Sequence, residues 1–417
     1  MPHFILTSAG THGDVFPYIA LGKMLLERGN RVTLVVPESY GPSITEMGME
    51  FASIVSTDEV NEFLDNPDVW HPMKSALLGA KWGVSSLKEQ FELLADVSSG
   101  DDAILAASPA IMAARMVQEK LGRPMASVYY LPWIIASSQS PPAMTSGITL
   151  PQWAPAPLGR LYWWGADQCA NLMMGKKLNG FRATLDLPPV NRIFKWWMSP
   201  DLCVGLFPSW YAVPQSDWPP QMKVAGFPAF DGEERELDGA VRLFCRGSGE
   251  DRPVIFTFGS GMKHAGRLFE AAVEACERSG RRGILLARDA AQIPDSLPDS
   301  VRHFDYVPLG QLLPLCSGIV HHGGMGTTAR SLAAGTPQLI IPHAWDQLDN
   351  ALRVIRLGGG ARIRRGRVTA KRVATALDGL LTEQTSVKCW EIAEKYRMAN
   401  LPERAAQWLE EYAEGKL

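Results

Sequence analysis

The sequence predicts an α/β protein made of two facing, doubly wound, Rossmann-like domains with a cleft between them. Two observations carry the prediction. Short apolar runs alternate with helix-patterned segments, the sign of β-α units on parallel sheets. The rhythm breaks after residue 225 and restarts at 253, and 417 residues make two large or three small domains at about 150 residues each.

In the first half the strand candidates are 3–8, 31–36, 50–55, 103–107, 125–131 and 203–207. The segment after the first strand opens at Pro17, carries Leu21, Met24 and Leu25 on one face, and stops at Gly29. Residues 57–100 read as helices and loops with exposed tryptophans, and 132–200 as irregular chain with one helix near 160–180. In the second half strands are expected at 253–258, 283–287, 301–306, 318–322, 338–342 and 361–363. Helices fit at 266–278, 309–315, 326–334, 346–356, 369–381 and 387–414, the last broken near Leu401-Pro402. The expected division is a first domain over 1–225, a linker over 226–246, a second domain over 247–386, and helices over 387–417. Ligands in such folds lie at the carboxyl ends of the strands, here in the interdomain cleft.

Composition narrows the class. Hydrophobic residues make up 46% and charged residues 20%, which excludes disordered, collagen-like and coiled-coil chains. A net charge of -3 exerts no global pull on nucleic acid. The six cysteines form no C-x-x-C pair and no metal-ligand spacing, and read as buried thiols of a cytosolic protein. The N-terminus lacks a signal peptide's basic and apolar regions, and no uncharged apolar run reaches the ~18 residues of a spanning helix. Ten of the 13 tryptophans precede residue 220, so the first half is where an aromatic surface is expected.

Two glycine loops carry the chemistry. The first runs Ser8-Ala9-Gly10-Thr11-His12-Gly13-Asp14-Val15-Phe16-Pro17 and fails the dinucleotide pattern G-x-G-x-x-G. Asp14 closes this loop, either as a helix cap or as a general base facing the cleft; His12 is a rival base. The second runs from Gly318 through His321-His322-Gly323-Gly324-Met325-Gly326-Thr327-Thr328 into a helix. Amides at a helix N-terminus attract anions, and Thr327, Thr328 and His322 add donors. With no P-loop Lys and no Asp cluster for Mg²⁺, this reads as a metal-free pyrophosphate cradle. His321 and His322 as joint metal ligands are disfavoured, because neighbours on a strand point to opposite faces.

Supporting motifs are weaker. Ser260, in Phe258-Gly259-Ser260-Gly261, suits a second phosphate contact. Asp346-Gln347 after Trp345 suits two adjacent sugar hydroxyls, or Asp346 is a helix cap. From Arg353 to Arg372 there are eight basic residues and no acid: a solvated face, or a contact with anionic membrane.

Residues 322–347 resemble the donor signature of the UDP-glycosyltransferase family in its bacterial branch, and Gly13-Asp14-Val15-x-Pro17 resembles its acceptor-side motif. Segments such as Phe194-Lys195-Trp196-Trp197 and Gly226-Phe227-Pro228 are similar to the rhamnosyltransferases of mono-rhamnolipid synthesis. The resemblance implies the GT-B fold and an inverting, metal-independent glycosyltransferase that needs no cofactor. Asp14 is the implied catalytic base. On the donor side His322, with the amides of Gly326 and Thr327 and the Gly324 turn, holds the diphosphate; Asp346 and Gln347 hold the sugar; Tyr306 stacks on the base and Val307 reads its edge. On the acceptor side the candidates are His12, Phe16, Trp82, Trp133 and Trp164. The implied donor is deoxythymidine-diphospho-L-rhamnose, and the implied acceptor is a 3-(3-hydroxyalkanoyloxy)alkanoate lipid. Alternatives are other nucleotide sugars with polyketide, sterol or carotenoid acceptors, or a nucleotide-sugar epimerase or hydrolase. The implied location is cytoplasmic, with peripheral contact at the inner membrane. The chain departs from the family twice. Ala106-Ala107-Ser108-Pro109 lacks the Asp that orients a His base, which agrees with Asp14 acting alone. Arg330 stands where plant members hold the ribose through Glu, which fits a deoxythymidine donor.

Overall fold

The computed structural model describes residues 1–417 apart from 145–148, 152, 231, 233–235, 248 and 260. Its first sheet holds β1 (His3–Thr7), β2 (Arg31–Val36), β3 (Glu50–Ser53), β4 (Ala103–Ala107), β5 (Met125–Tyr129), β6 (Leu202–Gly205) and β7 (Met222–Val224). All are parallel, in the order β3-β2-β1-β4-β5-β6-β7. The second sheet holds β8 (Val254–Thr257), β9 (Gly283–Leu286), β10 (Val301–Phe304), β11 (Gly318–His321), β12 (Gln338–Ile340) and β13 (Gly360–Arg362). It repeats the pattern, β10-β9-β8-β11-β12-β13, again all parallel. The central strands β1, β4 and β5 are buried throughout, as helices cover both faces of a parallel sheet.

The structure differs from the sequence reading at specific places. β7 is a half-buried Met222-Lys223-Val224 that forms no apolar run, and the sequence reading has no strand there. The first helix runs His12–Glu27, five residues ahead of Pro17. Its start is fixed at Thr11, whose amide donates to the Asp14 carboxylate at 2.7 Å. Pro17 then lies inside the helix and removes the N–H that the Gly13 carbonyl would accept. Trp70 is 8% exposed, not a surface residue, because it packs into the core of the second domain. The helix expected near 160–180 is Ala156–Ala170 followed by a π turn, Asn171–Gly175, and then Lys176–Thr184.

Two chain crossings join the domains. The first follows β7, and the second lies between the helices Glu383–Ala399 and Glu403–Ala413. They are tied together: the Phe227 amide donates to Asn400 Oδ1 at 2.6 Å, and Asn400 Nδ2 donates to the Phe227 carbonyl at 2.9 Å. Phe227 also stacks on Tyr396, with ring centroids 6.2 Å apart. The last helix lies on the first domain, where Ala405, Ala406 and Leu409 enter its core and Glu410 pairs with Arg28 at 2.6 Å. Asn400→Ala strands the Phe227 amide and leaves its carbonyl only the Tyr396 hydroxyl at 3.4 Å; it is expected to cost about 2 kcal/mol, read as a lower denaturant midpoint.

Candidate active site

In each sheet the chain order reverses direction once, between β1 and β4 and between β8 and β11. Such switch points open a crevice at the strands' carboxyl ends. Here the two crevices face each other across one cavity of about 640 Å³. The loops meet closely: a Cβ at Gly261 would lie 2.8 Å from Thr11 Cγ2 of the other domain.

Asp14 lines this cavity from the first turn of its helix. Its Oδ2 accepts from the Thr11 amide at 2.7 Å and the Thr11 hydroxyl at 3.1 Å. Its Oδ1 accepts from the Tyr130 hydroxyl at 2.6 Å. Burial lifts the carboxyl above the ordinary Asp range, and the donors on Tyr130 and Thr11 pull it partly back. Asp14 is therefore not alone. Tyr130, just past β5, holds its Oδ1. His12 also lines the cavity, stacked on Phe16 at 4.5 Å and held neutral: burial, aided by Arg288, brings its pKa down to about 4.

Across the gap, Gly324 caps the helix Met325–Ala334 without a side-chain cap. The amides of Met325, Gly326 and Thr327 therefore have no helical partner. Gly324, Gly326 and Thr327 line the cavity, whereas Thr328 is fully buried one helix step away and adds no donor there. The His322 ring is wedged between two glycines. A Cβ at Gly259 would lie 2.7 Å from its Cε1, and one at Gly324 2.4 Å from its Nε2. Burial, then the imidazoles of His321 and His343, push the His322 pKa down to about 3. Among the described residues its buried Nδ1 has no partner, which favours the tautomer with the proton on Nε2. His321 points away and is held by Gln338 at 3.0 Å.

Asp346 and Gln347 both line the cavity. Asn350 donates to Asp346, and burial together with the facing Asp14 raises the Asp346 pKa to about 7. Gln347 corrects the expectation of a free amide. Its carbonyl oxygen accepts from the amides of His343 (2.7 Å) and Ala344 (3.1 Å), which leaves only its NH₂ for a ligand. Trp345 holds a left-handed φ of 56°, strained for a bulky residue, and its ring presses on Gly79 of the first domain.

Tyr306 and Val307 line the same cavity, and the Arg288 guanidinium lies 5.5 Å from the Tyr306 ring centre. Phe16, Trp82 and Trp133 line it too. Trp164 does not: it is 58% exposed, and its helix neighbour Trp163 turns inward instead. Trp70, Trp197, Met173 and Met174 also reach the cavity, whereas Trp196 stacks on Arg182 at 4.8 Å. Ser260 lies outside the described residues. Sequence reasoning missed Tyr130 and Arg288 as cavity residues and passed over Trp345. The available signal was position, since Tyr130 and Arg288 each follow the carboxyl end of a strand.

Facing switch points, a bare helix N-terminus and an opposed carboxylate define a nucleotide-sugar enzyme of the GT-B type. Residues 4–138 match the glycosyltransferase family 28 N-terminal domain, and residues 282–411 match the C-terminal domain of erythromycin biosynthesis protein CIII-like proteins. The two matches, one on each domain, mark the chain as a glycosyltransferase of the GT-B fold. It is 28% identical over 429 residues to O-mycaminosyltylonolide 6-deoxyallosyltransferase of Streptomyces fradiae, covering 98% of this chain and 97% of that one. It is 27% identical over 394 residues to sterol 3-beta-glucosyltransferase of Candida albicans, covering 89% of this chain. The chain spans only 25% of that relative's length. Its fold matches the kitacinnamycin glycosyltransferase with TM-score 0.73 at 19% identity, covering 98% of this chain and 99% of that chain. It also matches the spinosyn rhamnosyltransferase complexed with thymidine diphosphate, with TM-score 0.67 at 17% identity, covering 98% and 100%.

The raised Asp346 pKa has a signed consequence. The folded state holds this proton more tightly than the unfolded chain, so the contribution is full below pH 4 and is lost as pH rises through about 7. Asp346→Asn should therefore be more stable than the parent at pH 7.5, with the gap closing towards pH 4. Thermal unfolding across that range checks it.

Proposed function

We propose that this chain moves a sugar from a nucleoside diphosphate sugar to the hydroxyl of an apolar acceptor, with inversion and without a metal ion. One observation carries the reading: the His322 ring and the free amides of residues 325–327 stand opposite Asp14 across one cavity. Asp14 accepts the acceptor's proton as its oxygen attacks the anomeric carbon. The departing diphosphate gathers negative charge, which the helix amides and the His322 Nε2–H stabilise. Asp346 and the NH₂ of Gln347 hold sugar hydroxyls, and Tyr306 and Val307 hold the base. His12, Phe16, Trp82 and Trp133 face the acceptor.

The finer reading is L-rhamnose from deoxythymidine-diphospho-L-rhamnose onto a 3-(3-hydroxyalkanoyloxy)alkanoate. It is supported by the sequence resemblance, by Arg330 on the donor wall in place of a ribose-binding Glu, and by an apolar arm that includes Trp70, Trp163, Trp197 and Met173. A sterol or polyketide acceptor is the second reading, favoured by the sterol and tylonolide transferases among the relatives. An epimerase or hydrolase leaves the apolar arm without a purpose. A panel of nucleotide sugars against hydroxyalkanoyl lipids, sterols and macrolides, read by mass spectrometry, separates these.

Asp14→Asn is expected to lower kcat by roughly a thousandfold while deoxythymidine diphosphate binds within about twofold of the parent; full turnover would remove Asp14 from the base role. Tyr130→Phe deletes a donor that holds the Asp14 pKa down. The acid limb of its pH–rate profile should move to higher pH, with kcat reduced and the donor KM little changed.

A further inference from the structure

The basic stretch of the second domain takes no part in this chemistry, yet it builds a surface. Arg362, Arg364, Arg367, Lys371 and Arg372 wall an open groove of about 1030 Å³. All five are exposed, and none is ion-paired among the described residues. Asp378, the next acid along the chain, is held by Arg281 at 3.2 Å. Elsewhere the chain is acidic enough to give a net charge of -3, so this concentration of positive charge is local.

The groove adjoins the cavity wall. Arg365, beside these cations, donates to the carbonyl of Trp70 at 2.5 Å. Three residues beyond Trp70, Met73 is 67% exposed, and Leu77, four further on, is 39% exposed. Lys81 continues that i, i+4 stripe, and Lys74 neutralises the nearby Asp68 at 2.9 Å. The inner face of the same helix, Ser75–Gly83, lines the cavity through Ala76, Gly79, Ala80 and Trp82. Met73, in the turn before this helix, and Leu77 within it thus face solvent, while the helix walls the apolar arm on its other side.

We propose that the groove of residues 362–376 and the Met73–Leu77 stripe together dock the enzyme on an anionic bilayer. Clustered cations beside exposed apolar side chains match a charged headgroup layer over hydrocarbon. Nucleic acid fits less well, because no aromatic side chain lines the groove for base stacking. No helix among the described residues is long and apolar enough to cross a membrane, so the contact is peripheral. Its purpose rests on the lipid-acceptor reading: docking sets the cavity wall against the layer that holds an amphipathic acceptor.

The test is cosedimentation of the full chain with phosphatidylglycerol–phosphatidylcholine vesicles and with pure phosphatidylcholine vesicles, without donor or acceptor. Binding should need the anionic lipid and weaken in high salt. Each cation removed should weaken it about fivefold, so Arg364→Gln/Arg367→Gln/Arg372→Gln should lose roughly a hundredfold, and Lys371→Gln alone about fivefold. Met73→Ser/Leu77→Ser should also weaken it. Unchanged thermal unfolding of each variant confirms that the fold is intact. No binding to anionic vesicles, equal binding to neutral ones, undiminished binding by Lys371→Gln and the triple variant, or retention of a single-stranded oligonucleotide instead would overturn the proposal. Vesicle binding without glycosylation of hydroxyalkanoyl lipids would reject the acceptor reading and leave the docking surface standing.

Discussion

Everything in the cleft is arranged around one constraint: an uncapped helix end must not be left buried without a partner. Gly324 supplies no side chain to satisfy the amides that follow it, so that end of the cavity requires an anion or water. The surrounding groups fit that demand. The two imidazoles in the cavity, His12 and His322, are both kept neutral by burial, so neither repels the partial positive charge of the helix. The carboxylates of Asp14 and Asp346 raise the cost of ionising each other, and a polyhydroxylated ligand lying between them would relieve it through hydrogen bonds.

The glycines follow from the same constraint. His322 can stand at the helix mouth only because Gly259 and Gly324 leave its ring room on two sides, and Gly259 adopts a φ of 94° that other residues resist. Precision at one imidazole is thereby written into two loops of different β-α units. On the far side of the gap the aspartate is held by a tyrosine that follows β5, not by a neighbouring acid. Both halves of the site thus hold their key side chains through contacts within the protein itself.

Much of this was legible in the sequence. Short apolar runs mark most strands, the fully buried ones most clearly, so twelve of the thirteen strands among the described residues overlap the expected segments, and only β7, with Lys223 at its centre, escaped. The glycine-rich turns at 10–14 and 322–328 mark the switch points directly, since only a tight turn into a helix needs that composition. What eluded the sequence depended on distance in space. Tyr130 lies 116 residues from the carboxylate it serves, and no local pattern links them. Trp163 and Trp164 are indistinguishable by composition; the rotation of their helix alone sends one inward and the other to solvent. Gln347 resembles a free ligand group until the fold of 343–344 claims its oxygen.

The knot between Phe227 and Asn400 bears on how such a molecule works over time. Because both covalent crossings are tied together at one place, that end is the joined edge of the cleft, and the Trp70 side is held by non-covalent bonds alone. Pro228 and Tyr396 line the cavity beside the tie, and Trp70 lines it as well. Arg365 to Trp70 and Lys263 to Asp65 are among the bonds that close that side. Opening the cavity there means parting side-chain contacts of this kind while the chain crossings stay intact.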